Sequence, residues 1–314
     1  MHWLVAAALA LDLLLGDPRL LPHPVIWIGR LVNRLELLLT ELTDRRRLAG
    51  IFLTVFTVGI TGLSAWGVLA LAGRFHPLFE IAIALWLAFT TIALRGLHRE
   101  SRRVIRRLEE GDLEEARHSL SLIVSRQTAQ MDEPAILRAC VETVAENTSD
   151  AVIAPLFYLF IGGPVAALMY KAASTLDSMV GYQSETYREF GWASARLDDL
   201  LNLVPARLTA LLMLPAAALL GLNSWNALRI VWRDARKHKS PNAGYPEAAA
   251  AGALGVRLGG AATYFGERVE KPTLGDDDRP LTIAVYRQMI RLMYLTAFLA
   301  LALGMAVRWW IAIK

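Results

Sequence analysis

"LAGIFLTVFTVGITGLSAWGVLALAG", Leu48–Gly73, carries no charged side chain until Arg74. A helix that is apolar all round has no side to turn to water, so each of its faces must meet apolar surroundings. The run is also long enough to cross a hydrocarbon core of roughly 30 Å. Two other stretches repeat the pattern. Met289–Ile313 is interrupted only by Arg291 and Arg308 near its ends, and Pro77–Leu94 holds one acid, Glu80, close to an end. Of the 314 residues, 55% are hydrophobic, against roughly 45–50% in soluble domains. The excess lies in blocks, and mean hydropathy is +0.38. The pattern predicts an all-α, multi-pass integral membrane protein with about 4–6 hydrophobic helices.

The shorter run Trp3–Leu15 lacks a basic leader and a small-residue cleavage site, and Asp12 interrupts it. It reads as a retained helix rather than a signal peptide. Cys140 is the only cysteine, so it has no second thiol for an internal disulfide or a redox motif. The net charge of +4 suits basic loops on the cytoplasmic side of a membrane, and no aromatic–basic module for nucleic acid is visible. Arg45–Arg47, Arg95–Arg107 and Arg229–Lys239 mark the cytoplasmic segments on this rule. One integral domain is expected, with a polar helical insert at 97–149 and a second polar loop region at 223–287. In the insert, "EEGDLEEARHSL" places Gly111 as a helix stop and Asp112 as an N-cap. "GDPRLLPHP" reads as turn material before an amphipathic surface helix over Ile26–Leu42.

Two apolar segments contain breakers. Gly162-Gly163-Pro164 divides Ala151–Ala173, and Pro205 and Pro215 divide Leu200–Gly221. Both look breakable, and one or both are expected to be re-entrant or hairpin elements, since breaks at membrane depth line protein-enclosed cavities.

Ionisable groups beside such segments are costly and therefore candidate site residues. Glu142, Glu146 and Asp150 are spaced to share one helical face, with Asn147 a turn before Asp150. A solvated face and a Mg²⁺ site of hard oxygen ligands both fit that spacing. Lys171, Ser174, Asp177 and Ser178 form one stripe in "YKAASTLDSMVGY". A phosphate contact and a snorkelling lysine above an ordinary helix end both fit. In "FGWASARLDDLLNLVPARL", Arg196, Asp198, Asp199, Asn202 and Arg207 suit either Mg-phosphate or an interfacial ion-pair network. His23 in "PHPV" is a loop histidine or an anion contact. His238, Ser240 and Asn242 share a basic loop that could cradle phosphate. No Walker A, G-x-G-x-x-G or G-x-S-x-G motif is present.

"LLLGDPRLLPHPVIWIGRLVNRLE", "VETVAENTSDAVIAPLFYLFIGGPVAALMYKAASTLDSMVGY", "FGWASARLDDLLNLVPARL" and "HKSPNAGYPEAAAAGALGVRLGG" resemble, in order and spacing, the adenosylcobinamide-phosphate synthase family of cobalamin biosynthesis. The likeness runs from about Asp12 to Gly266. Ser174 departs from it, standing where the family pattern has Asn. The resemblance implies a carbon–nitrogen ligase of the cytoplasmic (inner) membrane, its active site facing the cytoplasm. It would join adenosylcobyric acid to aminopropanol or aminopropanol O-phosphate, with Mg²⁺ as cofactor and ATP as co-substrate. Association with other enzymes of cobalamin nucleotide-loop assembly is implied as well. Under this reading Asp177, Asp198 and Asp199 do catalytic work, and Glu142, Glu146 and Asp150 hold metal. Lys171, Ser174, Ser178, Arg196, Arg207, Asn147, His23 and Asn242 contact the ligands. The competing classes are a membrane Mg-dependent phosphotransferase or prenyltransferase, and a corrinoid-binding or transport protein without catalysis. "SARLDDLLNL" lacks the preceding Asp-Gly and the later acids of a CDP-alcohol phosphotransferase.

Overall fold

The computed structural model describes residues 2–16, 23–182, 187–264 and 267–314, so the turn expected at 17–22 lies outside the described residues. Helix makes up 79% of the chain, and the described strands form only two short antiparallel ribbons, β1 (Leu258–Gly259) with β4 (Thr273–Leu274) and β2 (Ala262–Tyr264) with β3 (Glu267–Val269). The all-α class is as the pattern predicts. Among the described residues, five helical runs are long and apolar enough to cross a membrane: Arg46–Phe75, Pro77–Glu109, Glu133–Val180, Trp192–Leu219 and Ile283–Ile313.

The chain divides into two compact units. The first comprises Met1–Ala93, Ala154–Asn202 and Leu303–Lys314. It contains α1 (His2–Leu15), α2 (Pro24–Leu42), α3 (Arg46–Phe75), α4 (Pro77–Phe89) and α8 (Ala154–Val180), with the first part of α9 (Trp192–Leu219) and the last part of α12 (Ile283–Ile313). Its centre packs Ile28, Val32 and Leu39 of α2 against Ala49 and Leu53 of α3 and Ala172, Leu176 and Val180 of α8. The i, i+4, i+11 spacing of those α2 residues puts them on one face. On its outer side α3 exposes Val55, Phe56, Leu63, Trp66 and Leu71. A continuous apolar stripe of this kind is an aggregation liability in water and is ordinary against lipid. Lipid tails supply no hydrophobic drive between helices, so close packing and polar links carry the association. One such link is the buried pair Thr54 Oγ1 and Ser194 Oγ, 3.0 Å apart.

The second unit comprises Leu94–Ile153 and Leu203–Ala302. It contains α5 (Leu94–Glu109), α6 (Leu113–Ser121), α7 (Glu133–Thr148), α10 (Ser224–Asp234) and α11 (Gly244–Leu254), with the remaining parts of α9 and α12. Gly111 has φ +75° and ends the turn after α5, and Asp112 caps α6 by accepting from Glu115 N at 3.0 Å. Helix α11 is buried along its whole length, which its run of alanines makes possible. Asp234 ties α10 to the segment before α12. Its carboxylate accepts from Arg233, from Lys237 Nζ at 2.6 Å and from Gly275 N at 2.9 Å. Burial pushes that carboxyl up, but these donors outweigh burial and hold it far below the usual range.

The two expected breaks come out differently. Helix α8 is broken at Gly162 (φ −132°, ψ 16°) and Gly163 (φ 66°, ψ −159°), and Gly163 occupies a region open essentially only to glycine. Helix α9 is continuous, so only the first of the two breakable segments is broken: α9 runs from Trp192 to Leu219 through Pro205 and Pro215. Proline lacks the N–H that should serve the carbonyl four residues back. For Pro205 that carbonyl is Leu201, and it accepts the Tyr158 hydroxyl at 2.8 Å instead. A helix keeps its line through a proline where a neighbour satisfies the freed group.

Candidate functional site

The first constellation lies wholly in the first unit, where the end of α8 meets the start of α9. Asp177 and Asp199 stand within electrostatic reach of each other. Arg196 lies one turn before Asp199, 3.9 Å from its carboxylate, with most of its side chain in the open. Asp198 is held from the other side, its Oδ2 accepting from Asn202 Nδ2 at 3.0 Å. The Asn202 Oδ1 accepts the Tyr170 hydroxyl at 2.9 Å. Tyr170 and Asn202 are 1% and 2% exposed, so water cannot replace either bond. The Tyr170 ring stacks on Tyr158, centroids 5.0 Å apart and planes 16° off parallel.

Lys171, Ser174 and Asp177 are half-buried and Ser178 is exposed, on the stripe expected of one helix face. The Ser178 hydroxyl donates to the Ser174 carbonyl at 2.9 Å. Helix α8 then ends against a glycine for a steric reason. A Cβ on Gly181 would sit 2.0 Å from Asp177 Oδ1, so only glycine lets the carboxylate fold over the helix end.

The second constellation lies wholly in the second unit. Glu142 is 4% exposed. Its Oε2 is paired with Arg126, and its Oε1 accepts from Gly259 N at 2.6 Å. Around it are Glu146, Lys271 and Glu247, the last buried in α11. Burial, with Glu146 and Glu142 nearby, pushes the Glu247 carboxyl well above the usual range, against the pull of Lys271 and Arg126. His238 Nε2 lies 3.9 Å from Glu247 Oε1, and His238 Nδ1 accepts from Ser240 N at 3.0 Å. Burial and Lys271 hold this histidine below its ordinary value.

Among the described residues, no three His, Cys, Asp or Glu side chains come together as a metal-holding group. Glu142, Glu146 and Asp150, the residues expected at a cation, do not form such a group. Glu142 is committed to Arg126 and Gly259, and Asp150 falls in a π-helical turn, Ser149–Ile153, that interrupts the α-helical spacing. Asn147 donates to the Thr143 carbonyl at 3.0 Å.

Arg207 and Asn242, both expected at the ligands, do meet. Arg207 Nη1 lies 3.3 Å from Asn242 Oδ1, and its guanidinium sits over the Tyr245 ring at 4.2 Å. This clamps the "SPNAGY" loop to α9. His23 caps α2, its Nδ1 accepting from Val25 N at 3.3 Å.

Sequence reasoning passed over Tyr170, Arg126, Lys271 and Glu247 as site residues, and Tyr158 as the structural support of α9. One of them carried a signal. Glu247 is the single acid in "GYPEAAAAGAL", and an acid in a helix apolar on every side must be buried and partnered. The tyrosines, Arg126 and Lys271 gave none, because their partners are distant in sequence.

A family model described as "CobD/Cbib protein" matches residues 5–293. The cobalamin biosynthesis protein CobD of Geobacter metallireducens is 56% identical over 92% of this chain and 91% of its own length. The cobalamin biosynthesis protein CbiB of Salmonella typhi is 51% identical over 96% of this chain and 95% of its own. CobD of Pelobacter propionicus is 51% identical over 96% and 94%. No solved structure matches the chain.

Proposed function

The chain belongs to the CobD/CbiB protein family, and from that premise we propose that it is the amide ligase of cobinamide formation in cobalamin biosynthesis. It joins adenosylcobyric acid to aminopropanol or aminopropanol O-phosphate at the expense of ATP, in the cytoplasmic membrane with its site facing the cytoplasm. The observation that carries the reading is the family match over nearly the whole chain. The basic segments Arg45–Arg47 and Arg95–Arg107 favour the orientation.

The chemistry sets what the residues must do. A carboxylate does not acylate an amine until one of its oxygens is made a leaving group. In this reaction the substrate carboxylate attacks the γ-phosphorus of ATP, giving an acyl phosphate and ADP. The amine then attacks the acyl carbon, phosphate departs, and a base removes the amine proton. Asp198 is suited to the base role, because the Asn202 amide fixes its carboxylate. Lys171 and Arg196 are suited to phosphate oxygens, the first as a point charge and the second as a fork. Asp177 and Asp199 fit Mg²⁺ in its usual mode, one or two carboxylates shared with substrate phosphates; bound there, the ion would neutralise charge developing on the phosphoryl group. Glu142 does not fit that role, since its two oxygens already have donors.

The test is reconstitution of the full chain in lipid nanodiscs with adenosylcobyric acid, aminopropanol phosphate and Mg-ATP. Amide product and ADP are expected in equal amounts. Product without ADP would refute the ligase mechanism. Corrinoid binding with neither product would favour a carrier, a reading to which the break at Gly162–Gly163 lends itself.

A further inference from the structure

Tyr158 and Tyr170 reach α9 at consecutive residues. The Tyr158 hydroxyl donates to the Leu201 carbonyl at 2.8 Å, and the Tyr170 hydroxyl to Asn202 Oδ1 at 2.9 Å. Their rings stack, so the pair holds one turn of α9 against rotation. Only one of the two bonds leads onward. A primary amide has a donor end and an acceptor end. With the phenol donating into the Asn202 oxygen, the amide must turn its NH₂ toward Asp198, whose Oδ2 lies 3.0 Å away. The opposite orientation would set the amide oxygen against a carboxylate and leave the phenol facing a donor. The order phenol, amide, carboxylate is therefore self-consistent in one sense only. Both intermediates are almost fully buried, and in such surroundings each link strengthens the next and water cannot stand in for a lost one.

We propose that Tyr170 is a positioning residue, whose hydroxyl acts through the Asn202 amide to hold the Asp198 carboxylate in the orientation the amide-forming step requires. The inference rests on the ligase reading above. Tyr170 need not touch a substrate. It sets the amide, and the amide sets the carboxylate.

The experiment compares Tyr170→Phe, Tyr158→Phe, Asp198→Asn and the double variant Y170F/D198N with wild type, full-length in nanodiscs. Kinetics for each substrate and melting temperatures are measured. Tyr170→Phe keeps the ring stack and removes one oxygen. It should lower kcat by about tenfold or more, the effect of one buried hydrogen bond lost from an aligned group. KM for adenosylcobyric acid and the amine should stay within about twofold, since ground-state binding is untouched. Tyr158→Phe loses a hydroxyl of the same kind to a backbone carbonyl, so it should lower the melting temperature and leave kcat near wild type. The double variant should be no slower than Asp198→Asn alone, because the tyrosine acts only through that carboxylate. A Tyr170→Phe enzyme with wild-type kcat overturns the proposal, and so does a double variant in which the two losses multiply. If Tyr170→Phe does not fold, Asn202→Asp replaces the donor facing Asp198 by an acceptor, and wild-type kcat there overturns the proposal equally. An inactive wild type refutes the ligase reading and this inference together, whereas an active wild type with an unaffected Tyr170→Phe refutes only the inference.

Discussion

Asp198 and Glu142 are carboxylates near apolar segments, yet their surroundings treat them in opposite ways. Glu142 is met by a full charge, Arg126, and by a backbone N–H, inside a network that also takes in Lys271, Glu146 and Glu247. Among the partners of Asp198 is a neutral amide that is itself held by a phenol. A buried ion pair fixes its members but opposes any change of charge on them, because the partner would be left uncompensated. A neutral donor orients a carboxylate and leaves it able to take a proton. The first arrangement suits architecture, the second chemistry.

The sharpest way to break this comparison is to remove one partner on each side. Arg126→Leu strands Glu142 in a buried position and should cost about 3–5 kcal/mol, read as a large drop in melting temperature in detergent. Asp198→Asn should leave the melting temperature close to wild type, because the asparagine can still accept from Asn202. Equal losses in the two variants would erase the distinction. The converse holds for activity. Asp198→Asn should reduce amide formation by on the order of a hundredfold, as losing a group aligned with the reacting atoms does.

Gly181→Ala tests the steric side of the first constellation. The added Cβ would meet Asp177 Oδ1 at 2.0 Å, and overpacking of this kind costs typically about 1–3 kcal/mol. Thermal melts should register it, together with a weaker Mg²⁺ dependence of the reaction once Asp177 is displaced.

The second constellation should reveal itself through pH. The Glu247 carboxyl is raised by burial and by its acidic neighbours, so the folded protein holds that proton more tightly than the unfolded chain does. Its contribution to stability is complete below the ordinary glutamate value and is lost as pH rises through the raised one, with a slope of at most about 1.4 kcal/mol per pH unit. Glu247→Gln should flatten this stretch of the curve. His238 runs the other way. Its value is lowered, so the stability it confers is present above the ordinary histidine range and is lost as pH falls below it. Melting curves of wild type, Glu247→Gln and His238→Gln across pH would separate the two.

The smallest expected effect concerns the clamp on α9. Tyr158→Phe should cost about 1 kcal/mol in the native background and close to nothing beside Pro205→Ala, where an alanine N–H serves the Leu201 carbonyl instead. The measurement is a double-mutant cycle on melting temperature.

Much of the scaffold was legible in the residues alone, because the signals were local. An uncharged run such as Leu48–Gly73 has few alternatives to a membrane-crossing helix. Gly162-Gly163-Pro164 breaks α8 through its own backbone preferences, and Asp112 caps α6 through the N–H three residues on. The misreadings share a non-local cause. Pro205 looked breakable because the hydroxyl that serves the carbonyl it frees, Leu201, belongs to Tyr158, forty-three residues before that carbonyl. Glu142 looked like a metal ligand because Arg126 and Gly259 approach it from other parts of the fold. The π-helical turn at Ser149–Ile153, in which Asp150 falls, announces itself in no composition. Candidate aspartates could be named from sequence; the phenol and amide behind one of them could not.

The arrangement at Pro205 has an evolutionary corollary. A residue lacking an amide hydrogen and a tyrosine far upstream share one carbonyl, so the phenol should not be lost while the proline remains. Homologues that replace the proline are released from the need for a phenol at position 158 and are free to carry phenylalanine there. Homologues that keep the proline should keep an hydroxyl within reach of the same oxygen. Correlated change at these two columns would then record a single hydrogen bond, traded between backbone and side chain over the history of the family.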